Sequence, residues 1–177
     1  MLLAINDLVK NYGETNVLRN INFSLSAQEN VVIEGSSGSG KSTLLYSIGA
    51  LEEVDQGKIL FNGSDITKLS DEKKAFYRNQ NIGFIFQFHF LLPSLNCLDN
   101  ILLPSKLGPK KDKDLKSRVL HYAEVLKISH CLKKYPFEIS GGEQQRVNIV
   151  RAISQAPDLL LCDEPTGNLD SKNTEIV

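Results

Sequence analysis

No apolar run in this sequence approaches the roughly 20 residues that a bilayer-crossing helix requires. Stretches such as Leu159–Cys162 and Leu91–Leu92 fall far short of it. An excess of one charge is missing as well: 20 Lys and Arg stand against 21 Asp and Glu. Without a large single-sign field, nothing argues for DNA, RNA or an acidic membrane surface as the main partner. Cysteine is scarce, and Cys97, Cys131 and Cys162 are odd in number and widely spaced. That pattern supports neither a disulfide framework nor a zinc site and reads as buried, reduced thiols. The opening stretch MLLAINDLVKNYG lacks a basic n-region, and its apolar residues alternate with polar ones. It reads as an edge strand rather than a secretory signal, so the chain is expected in the cytosol. Repeats and low-complexity tracts are also lacking. The length of 177 residues suits one domain with room for subdomains.

What is present follows a clear order. Leu3, Ile5 and Leu8, then Ile21, Phe23 and Leu25 within 17–25, predict two antiparallel strands. The β-branched run 30–34 (NVVIE) predicts a third strand, a glycine-rich loop follows it, and 41–51 carries helical spacing. Residues 57–61 before Asn62-Gly63 predict a strand entering a tight turn. A polar helix over 70–79 and an apolar strand over 82–87 come next. From 87 to 140 the pattern turns helical, with helices over 97–107 and 115–126 and a lysine-rich break at 108–113. Another helix is predicted over 143–154; Pro157 prevents its continuation, and 159–162 reads as a strand buried on both faces.

The residues 35–42, GSSGSGKS, form the phosphate-binding P-loop pattern, placed between strand and helix as its chemistry demands. Gly35, Gly38 and Gly40 permit turns that aim backbone N–H groups inward, with Ser36, Ser37 and Ser39 between them. The helix beginning at Lys41, Ser42 and Thr43 adds its positive end. Lys41 supplies a point charge to the β- and γ-phosphates, and the Ser42 hydroxyl suits Mg²⁺. A glycine-serine linker has no reason to put Lys-Ser directly after its last glycine. Asp163 and Glu164 close the LLLCDE run at the carboxyl end of a predicted strand, where open parallel sheets bind ligands. Asp163 fits a Mg²⁺-holding acid, and Glu164 fits a base or water-orienting group for attack on the γ-phosphate. By itself an acidic pair at a strand end is often merely solvated.

Residues 140–146 read SGGEQQR. Together with the P-loop and the acidic strand end, this Ser-Gly-Gly turn opening a helix resembles the signature of the ATP-binding cassette (ABC) ATPases. Gly141 and Gly142 expose N–H groups, and the helix from Glu143 points its positive end at phosphate. The resemblance implies that Ser140, Gly141 and Gly142 contact ATP held by a second copy. It also implies an α/β P-loop core with a mostly parallel sheet flanked by helices, an antiparallel β subdomain and an inserted α-helical subdomain. Residues 1–86 and 156–177 would form the core with the β subdomain, and 87–155 the helical part. Tyr12 resembles the aromatic that stacks on adenine, although a plain surface tyrosine fits too. Gln87 resembles the glutamine that reaches Mg²⁺ and senses the transporter partner. Residues 167–170 (GNLD) resemble the loop joining two sites across a dimer, with Asp170 as its main contact.

The stretches QFHFLLP (87–93), LDNI (98–101) and PTGNLD (165–170) are similar to the lipoprotein-releasing and macrolide-exporter subfamily. Phe88, His89 and Phe90 fall where such proteins dock a helix of a membrane partner, or could pack inside the subdomain; no ligand spacing makes His89 a metal ligand. Ile139 and Cys162 depart from the usual leucine and alanine without losing apolar character. The family's switch histidine follows the loop holding Asp170, whereas His89, His121 and His130 precede it. The expectation is therefore a cassette lacking its C-terminal end, which binds nucleotide and hydrolyses it slowly. The resemblance implies ATP and Mg²⁺, a head-to-tail dimer, an integral membrane subunit as partner and a place on the cytoplasmic face of the membrane. A soluble ABC ATPase of DNA repair or translation, and a catalytically inert binding fragment, are the competing classes. The paired cassettes or coiled-coil insertions usual in the former are not seen.

Overall fold

The computed structural model describes residues 1–109 and 112–167. They fall into two compact units, Met1–Ala75 and Phe76–Val177.

In the first unit, β1 (Leu3–Tyr12), β2 (Thr15–Leu25), β3 (Gln56–Phe61) and β4 (Ser64–Asp65) form one antiparallel sheet in the order β2-β1-β3-β4. Its core is Leu3, Ile5, Leu8 and Ile59, with Ile5 opposite Phe23 on one side and Ile59 on the other. The inward residues of β1 change from odd to even numbers between Ile5 and Leu8, where the register with β2 slips. A bulge accounts for this: Asp7 has φ 49°, and an extra residue reverses which face the rest of the strand presents. Asp7 and Asn22 bridge the bulge, Asp7 N–H donating to Asn22 Oδ1 and Asn22 Nδ2 to Asp7 Oδ1, both at 3.0 Å. Asn62 and Gly63, at φ 48° and 79°, make the tight turn from β3 to β4 that their residue types predict. The helix α1 (Lys41–Ile48) buries Leu44, Ser47 and Ile48.

The strand expected over 30–34 is not formed. Residues 29–36 carry no helix or strand, and Val32 is 81 % exposed. β-branched residues favour extended backbone, but a strand exists only by its hydrogen-bonded neighbours, and no described strand pairs with this segment.

The second unit contains a parallel pair, β5 (Ile82–Ile85) beside β6 (Leu159–Cys162), registered Ile82 to Leu159 through Ile85 to Cys162. A parallel pair needs a long crossover, and here it carries α3 (Cys97–Leu107), α4 (Leu115–Val125) and α5 (Gly141–Ser154). A polar helix, α2 (Asp71–Asn81), precedes β5. The helices pack on Cys97, Ile101, Val119, Ala123, Val147 and Val150, all fully buried. Two expectations need correction. β6 is not buried on both faces: Leu159 and Leu161 point inward, while Leu160 is 41 % exposed and Cys162 is exposed too. Successive side chains of a strand point to opposite faces, and among the described residues only one face of β6 is covered. Cys97 and Cys131 are the buried thiols foreseen, and Cys162 is not one of them.

Asn100, fully buried on α3, organises the chain leading into that helix. Its Nδ2 donates to the carbonyls of Leu92, Leu95 and Asn96 at 3.0–3.1 Å, and its Oδ1 accepts from Leu92 N–H at 2.7 Å. Replacing the amide strands several backbone groups at once, so Asn100→Ala is expected to lower stability by about 2 kcal/mol. Urea unfolding should show a lower midpoint at unchanged slope; an unmoved midpoint would mean the loop does not depend on this side chain.

Candidate functional site

Residues 35–42, which carry the phosphate-loop pattern, lie in the first unit. Gly38 and Gly40 adopt φ 78° and 96°, the left-handed conformations that glycine alone reaches without strain. Gly40 caps α1, and a Cβ there would meet Val17 Cγ1 at 2.9 Å and the Val17 carbonyl at 3.2 Å. Ser39 N–H donates to Ser36 O at 3.2 Å, closing the turn, and 36–39 are exposed. The Lys41 ammonium arcs back over the loop and donates to Gly35 O at 2.8 Å and Ser36 O at 2.9 Å. The first hydrogen bond of the α1 ladder is Leu44 N–H to Gly40 O. The N–H groups of Lys41, Ser42 and Thr43 therefore sit at the helix mouth, outside that ladder. No acidic residue occupies the first turn. The local field there is positive and suited to an anion.

Tyr12 ends β1, opposite Thr15 across the Gly13 turn, and is 47 % exposed. The Lys10 ammonium lies 5.1 Å from its ring centroid and pairs with Glu52 at 2.6 Å. The hydrogen bond to Glu52 raises the Lys10 pKa, so the cation by the ring persists across the neutral range. Asp55 Oδ2 accepts from Asn11 N–H at 2.6 Å and Asn11 Nδ2 at 3.0 Å, fixing the neighbouring backbone.

In the second unit the carboxyl ends of β5 and β6 come together. Asp163 N–H donates to Ile85 O at 2.9 Å, extending the pairing by one step, and Asp163 is 5 % exposed. Gln87 and Glu164 each stand two residues past the paired ends Ile85 and Cys162. Gln87 Nε2 donates to Glu164 Oε2 at 3.1 Å across a separation of 77 residues. Glu164 has φ 46°, a left-handed backbone that costs a non-glycine residue about 1–2 kcal/mol. It is stabilised in part by Gly167 N–H donating to Glu164 O at 3.0 Å.

Ser140, Gly141 and Gly142 open α5. Ser140 is its N-cap, with Oγ accepting from Glu143 N–H at 3.3 Å. Glu143 Oε2 accepts in return from Ser140 N–H at 2.8 Å and Ser140 Oγ at 2.7 Å. This reciprocal capping box holds the turn. The Ser140 hydroxyl and N–H, with His130 contributing less, hold the Glu143 carboxyl at about 2. Nearby, burial is the main cause that pushes the Cys131 thiol up to about 12.

Sequence reasoning missed a row of side chains further along α5. Gln145, Asn148 and Arg151 recur every third residue along the helix, and that spacing is the signal that could have found them. Gln145 Nε2 donates to Pro165 O at 2.7 Å, just past Glu164. Arg151 donates to the carbonyls of His89 at 2.8 Å and Phe90 at 3.0 Å. His89 Nδ1 donates to Gln145 Oε1 at 2.8 Å. Helix α5 thus carries both the segment holding Gln87 and the turn after Glu164. Phe88 and Phe90 are exposed rather than packed inside the helical unit. Asp170, expected in the dimer-joining loop, lies outside the described residues.

These features, a glycine-turned anion cradle with its lysine, an acidic pair at a parallel strand end, an amide on the second acid and a Ser-Gly-Gly helix cap, define a P-loop ATPase of cassette type. Residues 18–167 match the family described as ABC transporter. The chain belongs to that family and is an ATPase cassette. It is similar to the solved dimeric structure of MJ0796, a bacterial ABC transporter cassette. There the identity is 34 %, the TM-score 0.89, and the match covers 99 % of this chain and 79 % of that one. It is also similar to MJ0796 in a dimeric post-hydrolysis state bound to ADP and Pi, at 33 % identity and a TM-score of 0.88, with the same coverage. Among the described residues, no helix is long and apolar enough to cross a membrane.

The Glu143 cap has a pH signature. A carboxyl whose folded pKa is depressed stabilises above its unfolded value and loses that contribution as pH falls through the folded one. The stability gap between the native chain and Glu143→Ala should be full above pH 4.5 and close as pH approaches about 2. Thermal melts across that range check it; a gap independent of pH would show that ionised Glu143 does not hold the turn.

Proposed function

We propose that this chain is the ATP-binding and ATP-hydrolysing subunit of an ABC transporter, working as a head-to-tail dimer with a membrane-embedded partner on the cytoplasmic face of the membrane. The observation that carries this reading is the contact of Gln87 with Glu164, which sets an amide and a carboxylate side by side at the ends of two parallel strands. Its family context gives each of them a task.

The roles are assigned as follows. Tyr12 offers its exposed ring face to adenine, backed by the Lys10 cation. The N–H groups of 35–43 and the Lys41 ammonium take the phosphates; Lys41 would exchange the Gly35 and Ser36 carbonyls for phosphate oxygens. Ser42 hydroxyl, Gln87 amide oxygen and Asp163 carboxylate each offer an oxygen donor, the kind of ligand that Mg²⁺ takes. When bound, Mg²⁺ neutralises charge on the triphosphate. Glu164 orients a water for in-line attack on the γ-phosphorus and accepts its proton, while Gln87 steers the carboxylate. Ser140, Gly141 and Gly142 close over the γ-phosphate held by the second copy. ATP then bridges two copies, and hydrolysis releases them, passing motion to the membrane partner. The dimeric assembly of the similar MJ0796 structures supports this arrangement. The near-neutral charge of 20 basic against 21 acidic residues does not favour a nucleic acid partner.

Phe88 and Phe90, exposed beside Gln87, suit the apolar contact with that membrane partner. The units of the domain are read as a nucleotide-binding core with a β subdomain, over 1–86 and 156–177, and a helical subdomain over 87–155.

Two substitutions test the reading. Lys41→Ala removes the cation from the phosphate loop, and calorimetry should show ATP affinity falling by about 100-fold; unchanged affinity would count against the loop's role. Glu164→Gln should keep ATP affinity while phosphate release drops by about 100-fold or more, with an ATP-bound dimer accumulating in sedimentation. Hydrolysis at the native rate in Glu164→Gln would remove Glu164 from its assigned task.

A further inference from the structure

Three chemically different donors converge behind the turn that opens α5. His130 Nε2 donates to Glu143 Oε1 at 2.8 Å, Cys131 Sγ lies 3.3 Å from His130 Nε2, and Cys131 Sγ donates to Glu143 Oε1 at 3.4 Å. All three ligand atoms fall within 4.8 Å of one another. We propose that His130, Cys131 and Glu143 form a binding site for a thiophilic divalent transition metal of the zinc(II) class. The wide spacing of the cysteines in the sequence excludes zinc only when cysteines alone are counted as ligands. Here one thiol is joined by its neighbouring imidazole and by a carboxylate from another element.

The geometry suits that ion. With nitrogen and oxygen ligands near 2.0 Å and sulfur near 2.3 Å, the edges of a tetrahedral site measure roughly 3.3–3.6 Å. The three separations already lie within about half an ångström of those edges, so a small outward shift of the carboxylate oxygen suffices. The donors are fixed by their elements. Cys131 N–H donates to Ile128 O and Lys134 N–H to Cys131 O, both at 2.8 Å, locking the turn that carries Cys131. Glu143 sits in the first turn of α5. Cys131 is fully buried, while His130 is exposed, so the ion enters past the imidazole and keeps its fourth position toward solvent. Imidazole, thiolate and one carboxylate select zinc(II) or cobalt(II) over Mg²⁺, which requires a set of oxygen donors. Its donors therefore differ in kind from the oxygens that Ser42, Gln87 and Asp163 offer. It also connects to the turn: Glu143 Oε1 would hold the metal while Oε2 keeps Ser140 N–H and Oγ. Occupancy would thus tighten the Ser140 cap, independently of any nucleotide.

Cobalt(II), titrated into the purified chain under a non-thiol reductant, reads the site directly. One equivalent is expected to give a near-ultraviolet thiolate-to-cobalt charge-transfer band with visible tetrahedral bands, all abolished by zinc(II). Cys131→Ser should lose the charge-transfer band, and Cys162→Ser should keep it. Because Cys131 is a core residue, the exposed His130→Gln gives a second measure, with affinity at least about tenfold weaker. Absence of a thiolate band in the native chain, its survival in a folded Cys131→Ser, or unchanged affinity in His130→Gln would overturn the proposal and leave the triad as a hydrogen-bonded cluster.

Discussion

A polar group carried into a protein interior must find a partner there or destabilise the fold by about 1–3 kcal/mol. Helix α5 takes amide and guanidinium groups into such surroundings, and the second unit is arranged around satisfying them. Gln145 and Asn148 are almost fully buried, and burial lowers the Arg151 guanidinium to about 10. Their acceptors are backbone carbonyls of irregular chain at Phe86, His89, Phe90 and Pro165. Those carbonyls have no strand or helix ladder of their own to join. The helix and the two loops answer one another's unpaired groups, and the contact between Gln87 and Glu164 is the product.

The same logic explains where backbone strain is tolerated. Glu164 keeps a left-handed φ of 46° and Phe90 one of 45°. Each stands next to a carbonyl or turn held by hydrogen bonds, Pro165 by Gln145 and Phe90 itself by Arg151. In the phosphate loop the equivalent conformations fall on Gly38 and Gly40, so no compensation is needed. At Gly40 the requirement is double, because the left-handed backbone and the closeness of Val17 both exclude a side chain. Opposite means thus lead to similar ends: glycine carries the left-handed turn in the loop before α1, and an anchored non-glycine residue carries it where Glu164 follows a strand end.

Much of this was legible beforehand. The helix predicted over 97–107 matches α3, and the parallel strand after Pro157 matches β6. Local signals suffice there, since helical periodicity and breakers act within a few residues. The run 30–34 shows the opposite case: its β-branched residues predict a strand, but no partner among the described strands pairs with it. The bulge at Asp7 changed which face of β1 is buried, and one-sided cover left Cys162 exposed. Neither can be seen from propensity, because each depends on what lies alongside the strand.

By itself, then, the sequence determined the glycine-rich loop at 35–42, the acidic pair and the Ser-Gly-Gly cap. Each is a contiguous motif whose chemistry depends on residue types at fixed short spacing. Only the tertiary structure decided that Gln87 meets Glu164, that α5 turns a polar row inward, and that His130 and Cys131 meet Glu143. Those pairings join residues 12 to 77 positions apart. Their distances follow from packing and from the need to satisfy buried donors, and no local pattern encodes them.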